Sequence, residues 1–418
     1  MEKYHEYKDS GIEWLGEIPS QWETKRIKDL CKMQSGFYIS ANDFKDEGFP
    51  IYGGNGFRGF SEDFNHDGEY TLIGRQGALC GNINYAKGKF WATEHAIVVY
   101  EKKEINKFWF GELLRLMNLN QYSLSAAQPG LSVEKIKRLK LPFIPSLKEQ
   151  TQIANYLDAK TTAIDKKVTL LEQKIKHYKA YRKMVINEIV TKGLDKTVKL
   201  KDSGVNWIGN IPEHWEIRRY KSFGKTIKGK NMETSDVEFD NSLPLLSLEY
   251  LRNDSVQHPT FCYSNDKSLK STDDDLIIVW DGAAVGEIIK SKIGYVSSTI
   301  AKLDINKKKF NTKYFYHLRG AIDYKLKQIP TGMGIPHLNP TLFKNFKCPA
   351  PPIKEQQQIA DYLDTKTTTI DKIINNIEAQ ITMLKELRKT LINEVVTGKV
   401  KVTSTSLSHQ KASNQPIV

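Results

Sequence analysis

The residues of this chain best suited to specific chemistry are amide, guanidinium and imidazole groups in loops beside short apolar runs. Asn55 and Arg58 lie in the glycine-rich stretch Gly53–Gly59, and Arg75 and Gln76 follow the apolar run that ends at Gly74. Guanidinium and amide groups can form two parallel hydrogen bonds with one partner. Such residues are typical of recognition surfaces, and we therefore ask which elements position them.

The glycine-rich stretch contains a formal G-x-G-x-x-G, which could indicate a dinucleotide loop. That kind of site requires a helix N-terminus for the pyrophosphate. The residues that follow, FSEDFNHDGEYTLIG, have turn and strand character and no helical period. We therefore interpret the stretch as a surface turn that presents Asn55 and Arg58.

Motifs of known catalytic chemistry are missing from the sequence. It contains no G-x-x-x-x-G-K-[ST], H-E-x-x-H or G-x-S-x-G motif, and its four cysteines and nine histidines have no zinc-ligand spacing. The segment Asn339–Leu342 lacks the second proline and the aromatic residue expected of an amino-methyltransferase loop. Asp273, Asp274 and Asp275 precede a predicted strand without partner ligands, so a solvated turn is favoured over a metal site.

Composition sets the broad class. The 418 residues include 62 Lys plus Arg and 49 Asp plus Glu, a net charge of +13, which is weak evidence for an anionic partner such as nucleic acid. The length suggests two or three domains. The cysteines, with no C-x-x-C pair, are predicted to be buried free thiols. No export signal and no long apolar run are present, so we expect a soluble cytoplasmic protein.

Two long amphipathic helices must organise these loops, because Gln150–Thr191 recurs as Gln356–Thr397 with a shift of 206 residues. Apolar residues at spacings of four and three predict a coiled-coil stripe in each. The first stripe is Ile164, Val168, Leu171, Ile175, Tyr178, Arg182, Val185 and Ile189. The second is Ile370, Ile374, Ile377, Ile381, Leu384, Arg388, Leu391 and Val395.

An arginine interrupts each stripe at the same position and predicts how the helices pair. In parallel pairing Arg182 would face Arg388, a repulsive contact. Antiparallel pairing avoids it and lets Asp371 or Asp165, near the start of the other helix, receive each arginine. Such a pair would form a rod with a two-fold axis through its middle. Taken alone, a structural or dimerising coiled coil explains these helices equally well.

A second repeat shows that the whole chain is an internal duplication. The leader Lys8–Pro19 followed by Trp22 returns as Lys201–Pro212 followed by Trp215, and its tryptophans are predicted to pack against a neighbouring element. The two variable blocks diverge more. Asp275–Gly286 aligns with the segment ending at Gly81, placing Trp280 and Asp281 where Arg75 and Gln76 stand, and Ser298 and Thr299 where Thr93 and Glu94 stand. The loop around Gly130 corresponds to residues 331–337.

The first variable block is predicted to be β-rich, with strands at Tyr70–Ile73, Asn82–Tyr85 and Ala96–Val99 and one helix at Asn106–Met117. We expect an α+β fold: two β-rich domains separated by a pair of long antiparallel helices forming a coiled coil, with pseudo-two-fold symmetry. The predicted divisions are leader and first domain 1–145, helical region 146–192, second leader and domain 193–352, helical region 353–400, and a disordered tail 401–418.

With the repeated KDSG…W-x-G-x-IP…W leader, the YGGNG turn and the paired KEQ-x-QIA-x-YLD…INE-[IV]-V helices, the chain resembles specificity subunits of type I restriction-modification systems. The resemblance covers nearly everything up to Val400. It implies two target-recognition domains that read a split site in double-stranded DNA, two methyltransferase (M) subunits docked on the helices, and restriction (R) subunits. It also implies no active site and no cofactor on this chain, with S-adenosylmethionine bound by the modification subunit.

Side-chain type and expected loop position then select candidates for DNA contacts, which the resemblance does not transfer residue by residue because recognition domains diverge. The candidates are Asn55, Arg58, Arg75, Gln76 and His95 in the first domain and Lys230, Asn231, Trp280, Asp281, Ser298, Thr299 and His337 in the second. The alternative function is a coiled-coil interaction scaffold that binds protein or RNA. An enzyme acting alone ranks third because of the missing motifs.

Overall fold

The computed structural model describes residues 2–77, 79–102, 104–123, 130–253, 259–327, 334 and 336–403. The chain forms two compact units: the first combines the chain up to Glu172 with the chain from Glu378, and the second spans Gln173–Ile377. Each unit therefore contains one variable block and half of each long helix. Among the described residues, no helix combines the length and apolarity needed to cross a bilayer.

The first unit is built on a six-stranded sheet with strand order β4-β9-β7-β8-β5-β6, accompanied by the two-stranded sheets β1-β2 and β3-β10. Its strands are β1 Tyr7–Asp9, β2 Glu17–Pro19, β3 Glu23–Arg26, β4 Cys31–Ser35, β5 Phe49–Gly53, β6 Gly56–Ser61, β7 His66–Gly74, β8 Ile83–Ala92, β9 Ala96–Glu101 and β10 Lys140–Phe143. Its helices are α1 Ile27–Leu30, α2 Lys107–Leu116, α3 Val133–Lys137 and the beginning of α4 Leu147–Lys192.

The second unit has two smaller sheets, of strand orders β14-β22-β19-β20 and β15-β17-β16-β21-β18, and the pairs β11-β12 and β13-β23. Its strands are β11 Leu200–Asp202, β12 Asn210–Pro212, β13 Glu216–Arg219, β14 Gly224–Lys228, β15 Thr234–Ser235, β16 Leu243–Leu246, β17 Phe261–Cys262, β18 Lys270–Ser271, β19 Leu276–Val279, β20 Ile288–Lys290, β21 Gly294–Val296, β22 Ile300–Ile305 and β23 Lys347–Ala350. Its helices are α5 Leu248–Arg252, α6 Thr312–His317, α7 Arg319–Lys327, α8 Pro340–Lys344 and the beginning of α9 Ile353–Val396.

The predicted elements of the first block are confirmed: the three strand runs fall in β7, β8 and β9 except for Asn82, which precedes β8, and the amphipathic run forms α2 without its two end residues. The Asn106 side chain caps α2 by accepting from the Trp109 backbone N–H. All four cysteines are buried free thiols, as predicted. Asp273 and Asp274 lie in an exposed turn, and no group of three metal-ligating side chains occurs in the described chain.

The duplicated leaders each attach to the first turn of a long helix. The buried indole of Trp22 donates a hydrogen bond of 3.1 Å to Glu149 at the start of α4, and Tyr4 donates to the same oxygen at 2.7 Å. The buried indole of Trp215 likewise donates to Glu355 at 3.0 Å, at the start of α9. The packing predicted for the leader tryptophans is confirmed for this pair, whereas Trp14 is 41% exposed.

In the first unit the long helices run antiparallel. Ile153 and Leu157, in the first turns of α4, share a core with Leu391 and Val395 of the last turns of α9. Further along, Arg388 Nε lies 3.0 Å from Asp165 Oδ1. The positions therefore rise along one helix as they fall along the other, which confirms the predicted direction of pairing.

The second unit repeats this arrangement with the other helix halves. Ile189 of α4 packs in one core with Ile359 and Leu363 of α9, and Arg182 Nε lies 3.0 Å from Asp371 Oδ1. The predicted aspartate partners are confirmed. Their expected place near a helix start is wrong, because Asp165 and Asp371 each lie more than four turns into their helices, beyond the reach of the helix dipole.

The chain after α9 does not leave the first unit at residue 400. Lys401 forms a β-bridge with Glu2, and Val402 is buried in the core of this unit. The predicted tail boundary at residue 401 is therefore too early for these residues, since they extend the packed structure. The rest of the tail prediction, residues 404–418, lies outside the described chain.

Candidate nucleic-acid interface

Three loops of the first unit meet where Arg75, Gln76 and His95 leave their strands. The Arg75 backbone N–H donates to the His95 carbonyl at 2.9 Å. Gly54, in the β5–β6 turn, is so close that a methyl group on its Cα would lie 3.2 Å from the carbonyl oxygens of Gln76 and His95. The turn that carries Asn55 is thus fixed against the other two loops.

The residues Asn55, Arg75, Gln76 and His95 form one edge of the first unit. Their side chains have few hydrogen-bond partners within the described chain. Arg75 Nη1 donates to Ser35 Oγ at 3.1 Å. Exposed Asn55 accepts a long 3.3 Å bond from the amide of Asn82, and Gln76 is exposed. His95 Nε2 lies 3.3 Å from the neighbouring Glu94 carboxylate. These groups can still offer hydrogen bonds to an external molecule.

Arg58 does not lie in the turn that carries Asn55. It belongs to β6 rather than to the turn itself, and its guanidinium carbon lies 5.8 Å from the centre of the Phe44 ring. The expectation of a turn carrying both residues is correct for Asn55 and needs correction for Arg58. A bulge at Ile51 and Tyr52 in the β5–β6 pairing shortens the turn to two residues.

The second unit contains an edge built in the same way from different side chains. Trp280 follows β19, and its backbone N–H donates to the Thr299 carbonyl at 2.9 Å. Asp281 is the centre of a charged group: Oδ2 lies 3.2 Å from Lys228 Nζ and Oδ1 lies 2.6 Å from His337 Nδ1. Lys228 also lies over the Trp280 ring, 5.5 Å from its centre.

The remaining candidates of the second unit are Lys230, Asn231, Ser298 and Thr299. Lys230 forms a β-bridge with Ser297, and its ammonium lies 3.1 Å from Asp266 Oδ2. Hydrogen bonds from Ser268, then the bond from Lys230, lower the pKa of Asp266. Asn231 and Thr299 are exposed, and Ser298 is half-buried.

Strand registers show which positions of the two units are equivalent. Ala96 pairs with Gly74, and Ile300 pairs with Val279, at the same point of each sheet. Thr299 therefore corresponds to His95 and Ser298 to Glu94, so the predicted alignment of Ser298 and Thr299 with Thr93 and Glu94 is wrong by one residue. The equivalence of Trp280 and Asp281 with Arg75 and Gln76 is confirmed by the matching backbone hydrogen bonds.

The sequence prediction missed Ser35 and Lys228, the last residues of β4 and β14. Both occupy one register position, because Ser35 pairs with Ile97 and Lys228 pairs with Ala301. Ser35 holds Arg75, and Lys228 holds Asp281. A usable signal was the glycine that follows each, since Gly36 and Gly229 have no room for a side chain: an added Cβ would lie 2.1 Å from a carbonyl oxygen.

The loops around Gly130 and His337 are equivalent as well. Leu131 N donates to the Arg75 carbonyl at 2.9 Å, and Leu338 N donates to the Trp280 carbonyl at 2.8 Å. His337 is thus brought to the edge by the chain that returns to α8. Residues 124–129, 328–333 and 335 of these loops lie outside the described chain, so their predicted correspondence stays a prediction.

A groove of about 1450 Å³ opens elsewhere in the second unit, between the last turns of α4, the leader and the α6–α7 corner. Trp207 lines it together with Met184 and Tyr324, which are 55% and 64% exposed. Basic residues border it as well: Lys179, Lys183, Lys192, Arg319 and Lys325. This combination of exposed apolar side chains and a charged rim is typical of protein-docking surfaces.

Two buried polar groups line the same groove. His317 Nε2 lies 2.9 Å from Asp364 Oδ1, and burial lowers the pKa of His317, so the neutral ring donates through Nε2 and leaves Nδ1 as an acceptor. Burial raises the pKa of Asp323 to about 7. Within the described residues, His317 Nδ1 and Asp323 Oδ1 have no hydrogen-bond partner. Both atoms are already shielded from solvent, so a ligand in the groove would not contact them directly.

Comparison with known proteins gives one consistent family. Residues 19–177 and 212–383 match the family described as Type I restriction modification DNA specificity domain. The type I restriction enzyme EcoprrI specificity subunit of Escherichia coli is 45% identical over 161 residues, which are 37% of this chain and 40% of that protein. The chain thus aligns with less than half the length of this relative.

Other comparisons extend over nearly the whole chain. The putative type I restriction enzyme MjaX specificity subunit of Methanocaldococcus jannaschii is 25% identical over 93% of this chain and 96% of that protein. A solved chain described under complex assembly and conformational transition of the type I R-M system has a TM-score of 0.70 at 15% identity. It covers 92% of this chain and 99% of that chain, and it supports the fold alone.

Proposed function

The chain belongs to the type I restriction-modification DNA specificity family, and we propose that it is the non-catalytic subunit that reads a bipartite site in double-stranded DNA. One observation carries this proposal. Both units form an edge with the same backbone hydrogen bonds, but Arg75 and Gln76 stand at that edge in one unit and Trp280 and Asp281 in the other. One framework with different reading groups suits two half-sites of different sequence.

The chemistry of the two edges supports different base preferences. Arg75 can donate two hydrogen bonds to guanine O6 and N7, and Gln76 can bond adenine N6 and N7. Asp281 is an acceptor that suits the cytosine amino group, with Lys228 and His337 holding its carboxylate in place. Basic side chains around each edge supply phosphate contacts that position the duplex without reading sequence.

The same proposal assigns the partners. Two methyltransferase (M) subunits, which bind S-adenosylmethionine, dock on the long helices, and restriction (R) subunits join for cleavage, in the cytoplasm. The groove beside Trp207 supports a protein partner at α4, because a docked segment would cover its exposed apolar residues. This chain itself contributes recognition and geometry, with the chemistry left to the partners.

The decisive experiment is methylation mapping in a host that expresses this chain with a modification subunit of its system, followed by binding assays with the purified complex. We expect adenine methylation at one interrupted sequence, and binding to that duplex that weakens as salt rises. Arg75→Ala should relax recognition of the first half-site. Asp281→Ala should relax recognition of the second half-site. Binding to protein alone, unaffected by salt and by DNA sequence, would instead support the interaction scaffold.

A further inference from the structure

Two large aromatic side chains project from the first unit directly after β4. Phe37 is 64% exposed and Tyr38 is 73% exposed. Most apolar side chains of this size pack inside a domain, and a pair of adjacent ones in solvent is unfavourable unless a partner covers them. Their position is notable because Ser35, two residues before Phe37, holds the guanidinium of Arg75.

The backbone at this pair is firmly held. Phe37 N donates to the Ala92 carbonyl at 3.0 Å, and its own carbonyl accepts from the indole of Trp91 at 3.2 Å. The preceding Gly36 donates to the Ala96 carbonyl at 2.9 Å and has no space for a side chain. The backbone at Gly36 and Phe37 is therefore fixed, so that little backbone conformational entropy is lost when a partner covers the aromatic rings.

The second unit carries different side chains at the equivalent positions. Because Ser35 and Lys228 share one register position, Phe37 corresponds to Lys230 and Tyr38 to Asn231. In that unit the same two positions carry an exposed ammonium and an exposed amide. An ammonium and an amide are typical polar contacts to nucleic acid, and aromatic rings are typical apolar contacts. The duplicated framework thus has a second pair of equivalent positions, 37 and 38 in the first unit and 230 and 231 in the second, whose side chains differ between the units.

We propose that Phe37 and Tyr38 read the first half-site through apolar contact with thymine methyl groups in the major groove. This inference rests on the proposed function. An apolar ring is the group that recognises the thymine C5-methyl, which amide and guanidinium groups cannot detect. Arg75 beside the pair adds a positive charge to the same edge, which suits the negatively charged duplex over an apolar protein partner.

Thymine-to-uracil exchange tests the proposal, because deoxyuridine removes only the methyl group. The complex with its modification subunit is titrated with duplexes of the mapped site in which deoxyuridine replaces thymine in one half-site at a time. For the unmodified protein we expect about fourfold weaker binding for each contacted methyl lost in the first half-site, the factor that burial of one methyl group gives. Exchange in the second half-site serves as the internal control.

The variant F37A/Y38A should lose this sensitivity to uracil and bind both duplexes equally. The matched variant K230A/N231A, at the equivalent positions of the second unit, should retain it. Because all four side chains are exposed, both variants should keep the melting temperature and partner binding of the unmodified protein.

The outcomes separate this inference from the proposed function. In one outcome, the complex of the wild-type chain recognises a bipartite site and still binds the uracil duplex as tightly as the thymine duplex. That result would refute methyl reading and leave the proposed DNA-recognition function standing. Equal uracil sensitivity in the complexes of the F37A/Y38A variant and of the wild-type chain would also exclude this aromatic pair as the reader. A complex without any preference for a bipartite duplex would overturn both proposals.

Discussion

Reversal of the ion pair between the long helices gives the sharpest test of their antiparallel pairing. In the second unit Arg182 meets Asp371 through two close contacts, Nε to Oδ1 at 3.0 Å and Nη2 to Oδ2 at 3.2 Å. Arg182→Asp would place two carboxylates at this contact. Adding Asp371→Arg would restore opposite charges with the order exchanged.

The expected magnitude follows from the exposure of the pair. The Arg182 side chain is 27% exposed and that of Asp371 is 51% exposed, so water screens the attraction. Exposed ion pairs contribute about 0.2 to 1 kcal/mol, and repulsion of like charges costs a similar amount. Each single variant should therefore lose about 1 kcal/mol of unfolding free energy, and the double variant should regain most of it.

Urea-induced unfolding of the four proteins of this double-mutant cycle measures the coupling free energy directly. It should fall towards zero in 1 M salt, where screening acts over about 3 Å. Lys176→Asp, which reverses an exposed charge of α4 outside the apolar stripe, is the matched control and should change stability by less than about 0.5 kcal/mol.

A second cycle at Arg388 and Asp165, which lie 3.0 Å apart in the first unit, should give the same coupling within error. A coupling free energy near zero in both cycles at low salt would refute the reasoning that these arginines select the direction of pairing. A coupling that persists undiminished in 1 M salt would refute its electrostatic origin.

Three further predictions concern recognition, pH dependence and spacing. Arg75→Ala should cost about 1 to 3 kcal/mol of discrimination at one base pair of the first half-site and none in the second, as read from methylation mapping. Burial raises the pKa of Asp323 to about 7, above its unfolded value near 4, so the native protein loses stability as pH rises through this window. Asp323→Asn should therefore be about 1 to 3 kcal/mol more stable than the unmodified protein at pH 8 and equal to it near pH 4, in thermal unfolding; a gain at pH 4 would contradict this cause. Insertion of one heptad into both long helices lengthens each by about 10 Å, roughly three base pairs of DNA, and should change the accepted spacer but neither half-site.

The sequence predicted the helices and leaders well because their signals are local or repeated. Stripe residues such as Val168, Val185 and Ile374 are buried, as the spacing of four and three required. The arginine in each stripe indicated both the direction of pairing and the partner aspartate. These features depend on helix period and charge alone, which a single sequence contains.

The detailed register of the second variable block could not be predicted in this way. In the first unit the chain between Ile83 and Ala96 includes the ten-residue strand β8, while the equivalent stretch from Ile288 to Ile300 is one residue shorter and splits into β20 and β21. Gly282 and Gly286, before this stretch, align with Gly77 and Gly81 as predicted. Ser298 and Thr299, near its end, are shifted by one residue from their predicted alignment. Strand length depends on pairing partners that are distant in sequence.

Contacts that join separate segments were also out of reach. Asp281 meets Lys228 and His337 across 53 and 56 residues of chain, and no local pattern indicates this group. The exposed aromatic pair after β4 was overlooked for a related reason. An apolar residue in a sequence is expected to be buried, and only the structure shows that Phe37 and Tyr38 are not.

The short pairs β3-β10 and β13-β23 have a consequence for how such proteins evolve. Arg26 pairs with Lys140, and Arg219 pairs with Lys347, so each variable block leaves and rejoins the scaffold at adjacent residues of one antiparallel ribbon. Genetic recombination that exchanges everything between the two strands of a ribbon would install a new block without altering its point of attachment. Under the proposed function, such an exchange would replace the specificity for one half-site and leave the other unit and the long helices unchanged.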